Sequence, residues 1–196
     1  MNYDPNQHHR RSIRLPAYDY GQAGAYFVTI VAHRRECLFG EMIDGNVVMN
    51  GCGEAVEHEW LRSAEIRPGV QLDAFIVMPN HVHAIVIIRD QPVVGAHSCA
   101  PLHDAPVRRS PRSLGSFVAG FKSAATKRIN EIRHTPGLPV WQRNYYEHVI
   151  RNEEELNAIQ QYIADNPLRW ADDRENPDNV GAVREPPLRG SPCLTP

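Results

Sequence analysis

The chain has 196 residues, of which 42% are hydrophobic and 22% are charged, and its formal net charge at pH 7 is −2. These values are typical of a single globular domain. Because no run of eighteen apolar residues occurs and the N-terminus is polar, we expect neither a membrane span nor a secretory signal. The four cysteines are scattered without the spacing of a metal site, which predicts a reducing compartment, the cytoplasm.

The small net charge conceals two basic segments. Residues 1–35 carry five arginines against two aspartates, and residues 105–152 carry nine lysines and arginines against two glutamates. The remaining stretches, 36–104 and 153–196, are acidic. Two basic segments on an acidic chain can form a localised surface for phosphate groups. Solvated faces without a ligand would explain the same charges equally well.

Five stretches of the sequence predict β-strands. They are rich in β-branched and aromatic residues and are separated by turn signals or by a helical pattern. These strands are predicted at residues 25–32, 37–41, 46–49, 72–78 and 81–88. Asp44-Gly45 marks a turn between the second and the third. The break at Pro79-Asn80 is too short to contain a helix, so the last two strands should pair antiparallel.

Apolar residues at helical spacing predict helices at residues 54–64, from residue 114 to the stop signal Pro136-Gly137, and at residues 153–165. Asn152 is placed to cap the third of these helices. Its first three residues are glutamates, which suit the positive end of the helix dipole. The aromatic-rich stretch 141–151 is predicted to be partly helical.

This order of elements predicts an α+β fold, an antiparallel sheet with helices packed on it. We expect one domain over residues 1–171. Residues 90–113 contain four prolines and no sustained periodicity, which predicts a mobile loop inserted into that domain. Residues 172–196 are predicted to form a disordered C-terminal tail.

The motif Pro79-Asn80-His81-Val82-His83 opens the last predicted strand. Side chains alternate along a strand, so His81 and His83 point to the same face. Two neighbouring imidazoles form a potential site for a divalent metal ion. The alternative is a pair of edge histidines that hydrogen-bond to the backbone, and the His-x-His pattern alone does not decide between the two.

Tyr162 and Asn166 lie four residues apart in the last predicted helix, so their side chains share a face. A phenol is a poor nucleophile while protonated, since its reference pKa is about 10. A nearby divalent cation that also polarises a phosphate makes its attack feasible. The amide oxygen of Asn166 can supply a third metal ligand. Alternatively, Tyr162 packs beside Ile159 and Ile163, and Asn166 only ends the helix.

Together these motifs resemble those of the HUH endonucleases, which combine His-hydrophobic-His on a strand with a downstream helix carrying Tyr-x-x-x-Asn or Gln. Within that superfamily the sequence is most similar to the single-tyrosine transposases of small bacterial insertion sequences, and above all to the REP-associated tyrosine transposases. The resemblance covers roughly residues 10–170. Three stretches carry it in order: residues 24–29, residues 77–83, and the stretch from 140–143 through 162–167.

The resemblance implies a ferredoxin-like, RRM-related antiparallel sheet with the histidines on a central strand. It also implies an enzyme that cleaves and rejoins single-stranded DNA carrying palindromic hairpins. Mg²⁺ or Mn²⁺ would be held by His81, His83 and Asn166, and Tyr162 would form a 5′-phosphotyrosine link and leave a free 3′-hydroxyl. A monomer and a homodimer both stay open, because some relatives assemble each active site from two subunits.

Further residues are candidates for contact with DNA: Lys122, Lys127, Arg128, Arg133, Gln142 and Arg143. The four cations lie on the basic helix that begins at Leu114. Tyr145 and Tyr146 are rival nucleophiles. They have no partner at helical spacing comparable to Asn166, and packing with Trp141 against the sheet is the alternative reading for both.

Other functions remain to be distinguished. A catalytically silent nucleic-acid-binding domain of the same fold would present aromatic side chains to bases. A replication initiator or a relaxase, which are also HUH nucleases, would commonly place the tyrosine differently or use more than one. A metal hydrolase that activates water would need no tyrosine, and it would form no covalent adduct with DNA.

Overall fold

The computed structural model describes residues 22–89 and 113–179. Nearly all of the predicted loop at 90–113 and the end of the predicted tail, 180–196, lie outside these ranges. No helix within the two described ranges has the length and apolar character needed to cross a membrane.

The protein is built on a four-stranded antiparallel sheet. Its strands run in the order β4-β5-β1-β6, and a separate hairpin is formed by β2 and β3. The bounds are β1 Gly24–Val31, β2 Gly40–Ile43, β3 Asn46–Met49, β4 Val70–Val77, β5 His81–Ile88 and β6 Tyr146–Ile150. Because β5 lies between β4 and β1, the prediction that the histidines lie on a central strand is confirmed. The predicted antiparallel pairing of the two strands around Pro79-Asn80 is also confirmed.

The prediction for residues 141–151 was wrong, because this stretch extends the sheet. Trp141 forms an isolated bridge with Ala32, and Tyr146–Ile150 pairs with β1 as an edge strand. Its side chains alternate, with Val149 in one hydrophobic cluster and Ile150 in the other. A β-branched, aromatic segment beside an open strand gains ladder hydrogen bonds and burial on both faces, and this tertiary context decides its conformation.

Three helices follow the predicted pattern closely. They are α1 Gly51–Glu65, α2 Leu114–Arg133 and α3 Glu153–Asp165. Helix α1 starts before the predicted residue 54, because the side chain of Asn50 accepts hydrogen bonds from two N–H groups of its first turn. Asn152 caps α3 as expected, accepting from the N–H of Glu155. A short 3-10 helix, Pro167–Asp172, comes directly after α3.

The sheet separates two hydrophobic clusters. The core face carries Val82, Ala84 and Val86 and is covered by α1 and α2. The site face carries His81, His83 and Ile85 and is covered by α3. The alternation that places both histidines on one face was predicted from the sequence, and the structure confirms it.

Candidate active site

The two histidines begin β5 and lie fully inside the protein. His81 is 0% exposed and His83 is 3% exposed, and their ring centroids are 4.4 Å apart. Trp170 of the 3-10 helix stacks on His81, with ring centroids 6.0 Å apart. The chain that follows α3 therefore folds back over the histidines and closes them off from solvent.

This fold-back brings a third potential metal ligand, Asp173. One ligand atom each from His81, His83 and Asp173 lies within 4.8 Å of the other two. The carboxylate of Asp173 is buried and accepts two hydrogen bonds, one from the Asn166 side-chain amide at 3.1 Å and one from the Glu175 N–H at 2.6 Å. Residues 172–179 were expected to belong to a tail, but Asp172 ends the 3-10 helix, turns follow it, and residues 172–175 line the site.

Each histidine uses its Nδ1 atom for a contact inside the protein. His81 Nδ1 is 2.8 Å from the side-chain oxygen of Asn80, and His83 Nδ1 is 2.9 Å from the hydroxyl of Thr29. The Nε2 atom of His81 lies 4.0 Å from the carboxylate of Asp173. Such second contacts fix the orientation of imidazoles that bind metals.

Two buried polar atoms at this cluster have no hydrogen-bond partner among the described residues. They are Nε2 of His81 and the side-chain oxygen of Asn166. An unpartnered buried acceptor is costly, and a bound cation would satisfy both. Two imidazole nitrogens, a carboxylate oxygen and an amide oxygen form a donor set that fits a divalent metal ion.

Burial keeps both imidazoles neutral. Desolvation lowers the pKa of His81 to about 3, and the neighbouring Asn166 side chain opposes this only in part. Desolvation, and then the charge of His81, lower the pKa of His83 well below its ordinary value, against a raising contribution from Asp173. Neutral imidazole is the form that binds metal ions, so both side chains are ready to act as ligands at pH 7.

Tyr162 reaches this cluster from α3. Its hydroxyl oxygen is 3.4 Å from Nε2 of His83, and its ring packs edge-on against Phe27 with centroids 6.0 Å apart. Burial, followed by the charges of Asp173 and Glu175, raises the pKa of Tyr162 to about 12. The phenol is therefore protonated at neutral pH, and it needs added positive charge nearby to become a nucleophile.

Tyr162 and His83 line a cavity of about 580 Å³. The walls carry three cations that sequence reasoning had not singled out for the site: Arg35, Arg169 and Arg174. Arg35 is bonded to the Glu175 carboxylate at 3.1 Å, and Arg169 lies 3.8 Å from Asp165. A cavity of this size with cations on its wall can admit a phosphate-bearing ligand.

The rival tyrosines line the same cavity. Tyr146 packs edge-on against Phe27, with ring centroids 6.2 Å apart, and belongs to the cluster on the site face. Tyr145 packs against the cluster on the core face. Both tyrosines therefore pack against the sheet, Tyr145 in the cluster that contains Trp141 and Tyr146 on the opposite face. Tyr162 contacts His83 through its hydroxyl.

The candidate DNA contacts are distributed over the molecule. Lys122 donates to the carbonyl oxygens of Gln142 at 2.5 Å and of Asn144 at 3.5 Å, and Arg128 bonds to the Glu59 carboxylate at 3.2 Å. Lys122 is half-buried, whereas Arg128 is exposed. Lys127 and Arg143 are exposed, Arg133 is half-buried, and Gln142 lines the cavity. Gln142 is therefore the one of the six that the structure places at the site.

His81 and His83 on β5 meet Tyr162 on α3 and Asp173 beyond it. The sequence separation between His83 and Tyr162 is bridged by the sheet and by the packing of α3 on it. Asp173 carried no signal in the sequence, because no motif or periodicity marks the turns after the 3-10 helix.

Comparison with known proteins identifies a relative in sequence and solved structures with a similar fold. No protein-family model matches the chain. The chain is 38% identical over 176 residues to an uncharacterised protein of Haemophilus influenzae, an alignment covering 88% of this chain and 96% of the relative. The two proteins belong to one family.

A solved REP-associated tyrosine transposase bound to a REP hairpin is 20% identical, and the match covers 80% of this chain and 73% of that one with a TM-score of 0.51. A candidate transposase from Deinococcus radiodurans is 19% identical over 78% of this chain and 95% of its own, with a TM-score of 0.38. The first of these confirms, at the level of the fold, the resemblance seen in the sequence motifs.

Proposed function

From the shared fold of a REP-associated tyrosine transposase, we propose that this chain is a metal-dependent transposase that cleaves and rejoins single-stranded DNA through Tyr162. The observation that carries the proposal is the position of the Tyr162 hydroxyl, 3.4 Å from His83 Nε2 and beside the His81, His83 and Asp173 cluster. A silent binding domain of the same fold would have no need for a buried phenol next to a metal-type donor set.

The proposed cofactor is Mg²⁺ or Mn²⁺, held by His81, His83 and Asp173, with the free amide oxygen of Asn166 as a fourth donor. When bound, such an ion polarises the scissile phosphate and offsets negative charge near the phenol. Two nitrogen donors are unusual for Mg²⁺, which prefers oxygen, so Mn²⁺ should support the reaction at least as well. Asp173 would add a carboxylate to the ligands expected from the sequence.

The chain's own residues would then carry out a balanced exchange. The Tyr162 oxygen loses its proton and forms a bond to phosphorus, while the bond from phosphorus to the 3′ oxygen breaks. The leaving oxygen takes up a proton and becomes a free 3′-hydroxyl, and the 5′ side stays linked to Tyr162 as a phosphodiester. Because one phosphodiester replaces another, a second 3′-hydroxyl can reverse the step and join strands without ATP.

Single-stranded DNA with a hairpin is the proposed substrate. The structurally related transposase is bound to such a hairpin, and the cavity here combines the Tyr162 hydroxyl with Arg35, Arg169 and Arg174 on its wall. Arginine guanidinium groups suit phosphate oxygens in both charge and geometry. Gln142, also on the wall, is a proposed contact with the DNA.

The proposal is tested by covalent trapping. The protein is mixed with labelled single-stranded oligonucleotides carrying palindromes from around its gene, with Mn²⁺ or with EDTA, and separated on a denaturing gel. We expect an adduct that requires Mn²⁺ and is absent from Tyr162→Phe and His81→Ala. Tyr146→Phe is the matched control, since it removes a hydroxyl from the same cavity and should leave the adduct in place.

Each other outcome contradicts part of the proposal. An adduct that persists in Tyr162→Phe assigns the nucleophile to another residue. Cleavage without any adduct assigns the reaction to activated water. If the protein binds DNA but cleaves it under none of these conditions, the proposed enzymatic activity is wrong and the chain is a silent binding domain.

A further inference from the structure

Asn80 lies directly before His81 in the chain and is fully buried, with 0% of its surface exposed. Its side-chain nitrogen donates to the carbonyl oxygen of Arg35 at 3.0 Å and to that of Glu175 at 2.6 Å. Both acceptors are backbone carbonyls, which cannot donate. The two hydrogens of the amide are therefore committed, and the orientation of the amide is determined.

This orientation has a consequence for His81. The Asn80 side-chain oxygen faces Nδ1 of His81 at 2.8 Å. Because that oxygen can only accept, Nδ1 must carry the hydrogen of the neutral imidazole. Nε2 then presents its lone pair, and Nε2 is the buried atom that has no partner among the described residues and lies 4.0 Å from the Asp173 carboxylate. The amide of Asn80 thus selects the tautomer that can bind a metal.

The same amide also holds the segment that supplies the carboxylate. Glu175 lies two residues after Asp173, and its carbonyl oxygen accepts one of the two Asn80 hydrogens. The other hydrogen goes to Arg35, whose own side chain bonds to the Glu175 carboxylate. Three separate parts of the chain, the turn before β5, the link after β1 and the turns after the 3-10 helix, meet at Asn80.

We propose that Asn80 is the positioning residue that assembles the metal site, orienting His81 and fastening the backbone next to Asp173. This inference rests on the proposed metal site. Asn80 touches no reacting atom, and it acts through His81 and through the segment of Glu175. Outer contacts of this kind typically change metal affinity by about 10–100-fold when removed.

Asn130 provides a matched control. It is also a buried asparagine, 8% exposed, and its side-chain nitrogen donates to the carbonyl of Leu138 at 2.9 Å. It lies at the end of α2, whose apolar residues belong to the core face. Replacing either asparagine with alanine removes buried hydrogen bonds, but only the replacement of Asn80 should affect the metal site.

The experiment is a calorimetric Mn²⁺ titration of the full chain, with thermal unfolding in EDTA to measure metal-free stability. Asn80→Ala should weaken Mn²⁺ binding by about 10–100-fold. Asn130→Ala should bind Mn²⁺ with wild-type affinity, although its melting temperature in EDTA should be lower than that of the wild type. Unchanged affinity in Asn80→Ala, or an equal loss in Asn130→Ala, would overturn the inference.

Asn80→Asp separates the orientation of His81 from the fastening of the backbone next to Asp173. It also replaces Asn80→Ala in the experiment if that variant does not fold. A carboxylate still accepts from His81 Nδ1 but cannot donate to Arg35 and Glu175. We expect intermediate Mn²⁺ affinity and faster amide hydrogen exchange in residues 173–179. Wild-type exchange there, or affinity equal to that of the wild type, would contradict the inference. Wild-type protein that binds no Mn²⁺ would instead overturn the proposed function itself.

Discussion

The two faces of the sheet are built for different purposes. Among the described residues, the core face buries twenty-three hydrophobic side chains, including Trp60 and Phe121, in one cluster with α1 and α2. The site face buries five of the described hydrophobic side chains, and beside them it holds His81 and His83, of which His83 lines the cavity. Apolar burial is the main source of folding free energy, so the core face should carry most of the stability.

The site face instead retains groups that folding alone does not favour. His81, His83 and Asp173 are buried together, and the oxygen of Asn166 has no partner among the described residues. Desolvated polar groups lower stability, and they cluster where function requires them. The two faces should therefore respond differently to substitution, one in stability and the other in metal binding.

The largest expected effect on stability comes from Trp60→Ala on the core face. Trp60 is 0% exposed and packs against Phe117 and Phe121, with ring centroids 5.2 and 4.9 Å away. Its loss should lower the free energy of unfolding by about 3–5 kcal/mol, measured by urea denaturation. Leu61→Ala, at a half-exposed position of the same helix, is the control and should cost less than about 1 kcal/mol. Reduced Mn²⁺ affinity in the folded Trp60→Ala protein would contradict the separation of the faces.

Asp173→Asn should produce the opposite pattern on the site face. The amide keeps the shape of the side chain but removes the carboxylate from the His81 and His83 cluster. Mn²⁺ affinity should fall at least about tenfold, because a ligand contributes more than the outer contacts worth about 10–100-fold. The amide can keep only one of the two hydrogen bonds that the carboxylate oxygens accept, so the unfolding free energy in EDTA should fall by about 1–3 kcal/mol. Asp172→Asn, at the exposed neighbouring position, should change neither, and equal losses in the two variants would refute a ligand role.

Lys122→Met tests a contact between the two faces, the bonds from α2 to the backbone carbonyls of Gln142 and Asn144 on the cavity wall. Burial lowers the pKa of Lys122 to about 8 from its usual 10.5. Between those values the unfolded chain binds more protons than the folded protein, so this group makes the wild type more stable as pH rises. The stability of the wild type relative to Lys122→Met should therefore increase from pH 8 to 10.5 in urea titrations. Exposed Lys127→Met is the control, and a flat difference for Lys122→Met would contradict the shift.

How much could be predicted from the sequence is clearest along β5 and α3. The period of two placed His81 and His83 on one face without knowledge of the fold, and Asn152 marked the start of α3. Both signals are local, since alternation and capping depend on residues within a few positions. The four-residue spacing likewise put Tyr162 and Asn166 on one side of the helix.

What escaped prediction depends on contacts between distant residues. Asp173 reaches the site because Trp170 stacks on His81, which no local pattern encodes. The strand Tyr146–Ile150 forms because β1 offers it an open edge. Lys122 was predicted to contact DNA because of its charge. The structure shows instead that its amine donates to the backbone carbonyls of Gln142 and Asn144, residues that are distant from it in the sequence.

The most direct test of the central claim is to locate the DNA on the protein. After trapping with Mn²⁺, trypsin separates the rival tyrosines, because cleavage at Arg143, Arg151 and Arg169 leaves Tyr145 and Tyr146 on one peptide and Tyr162 on the next. Mass spectrometry should find the nucleotide mass on the peptide of residues 152–169, attached to Tyr162. A nucleotide on the peptide of residues 144–151 would contradict the account and assign the nucleophile to Tyr145 or Tyr146.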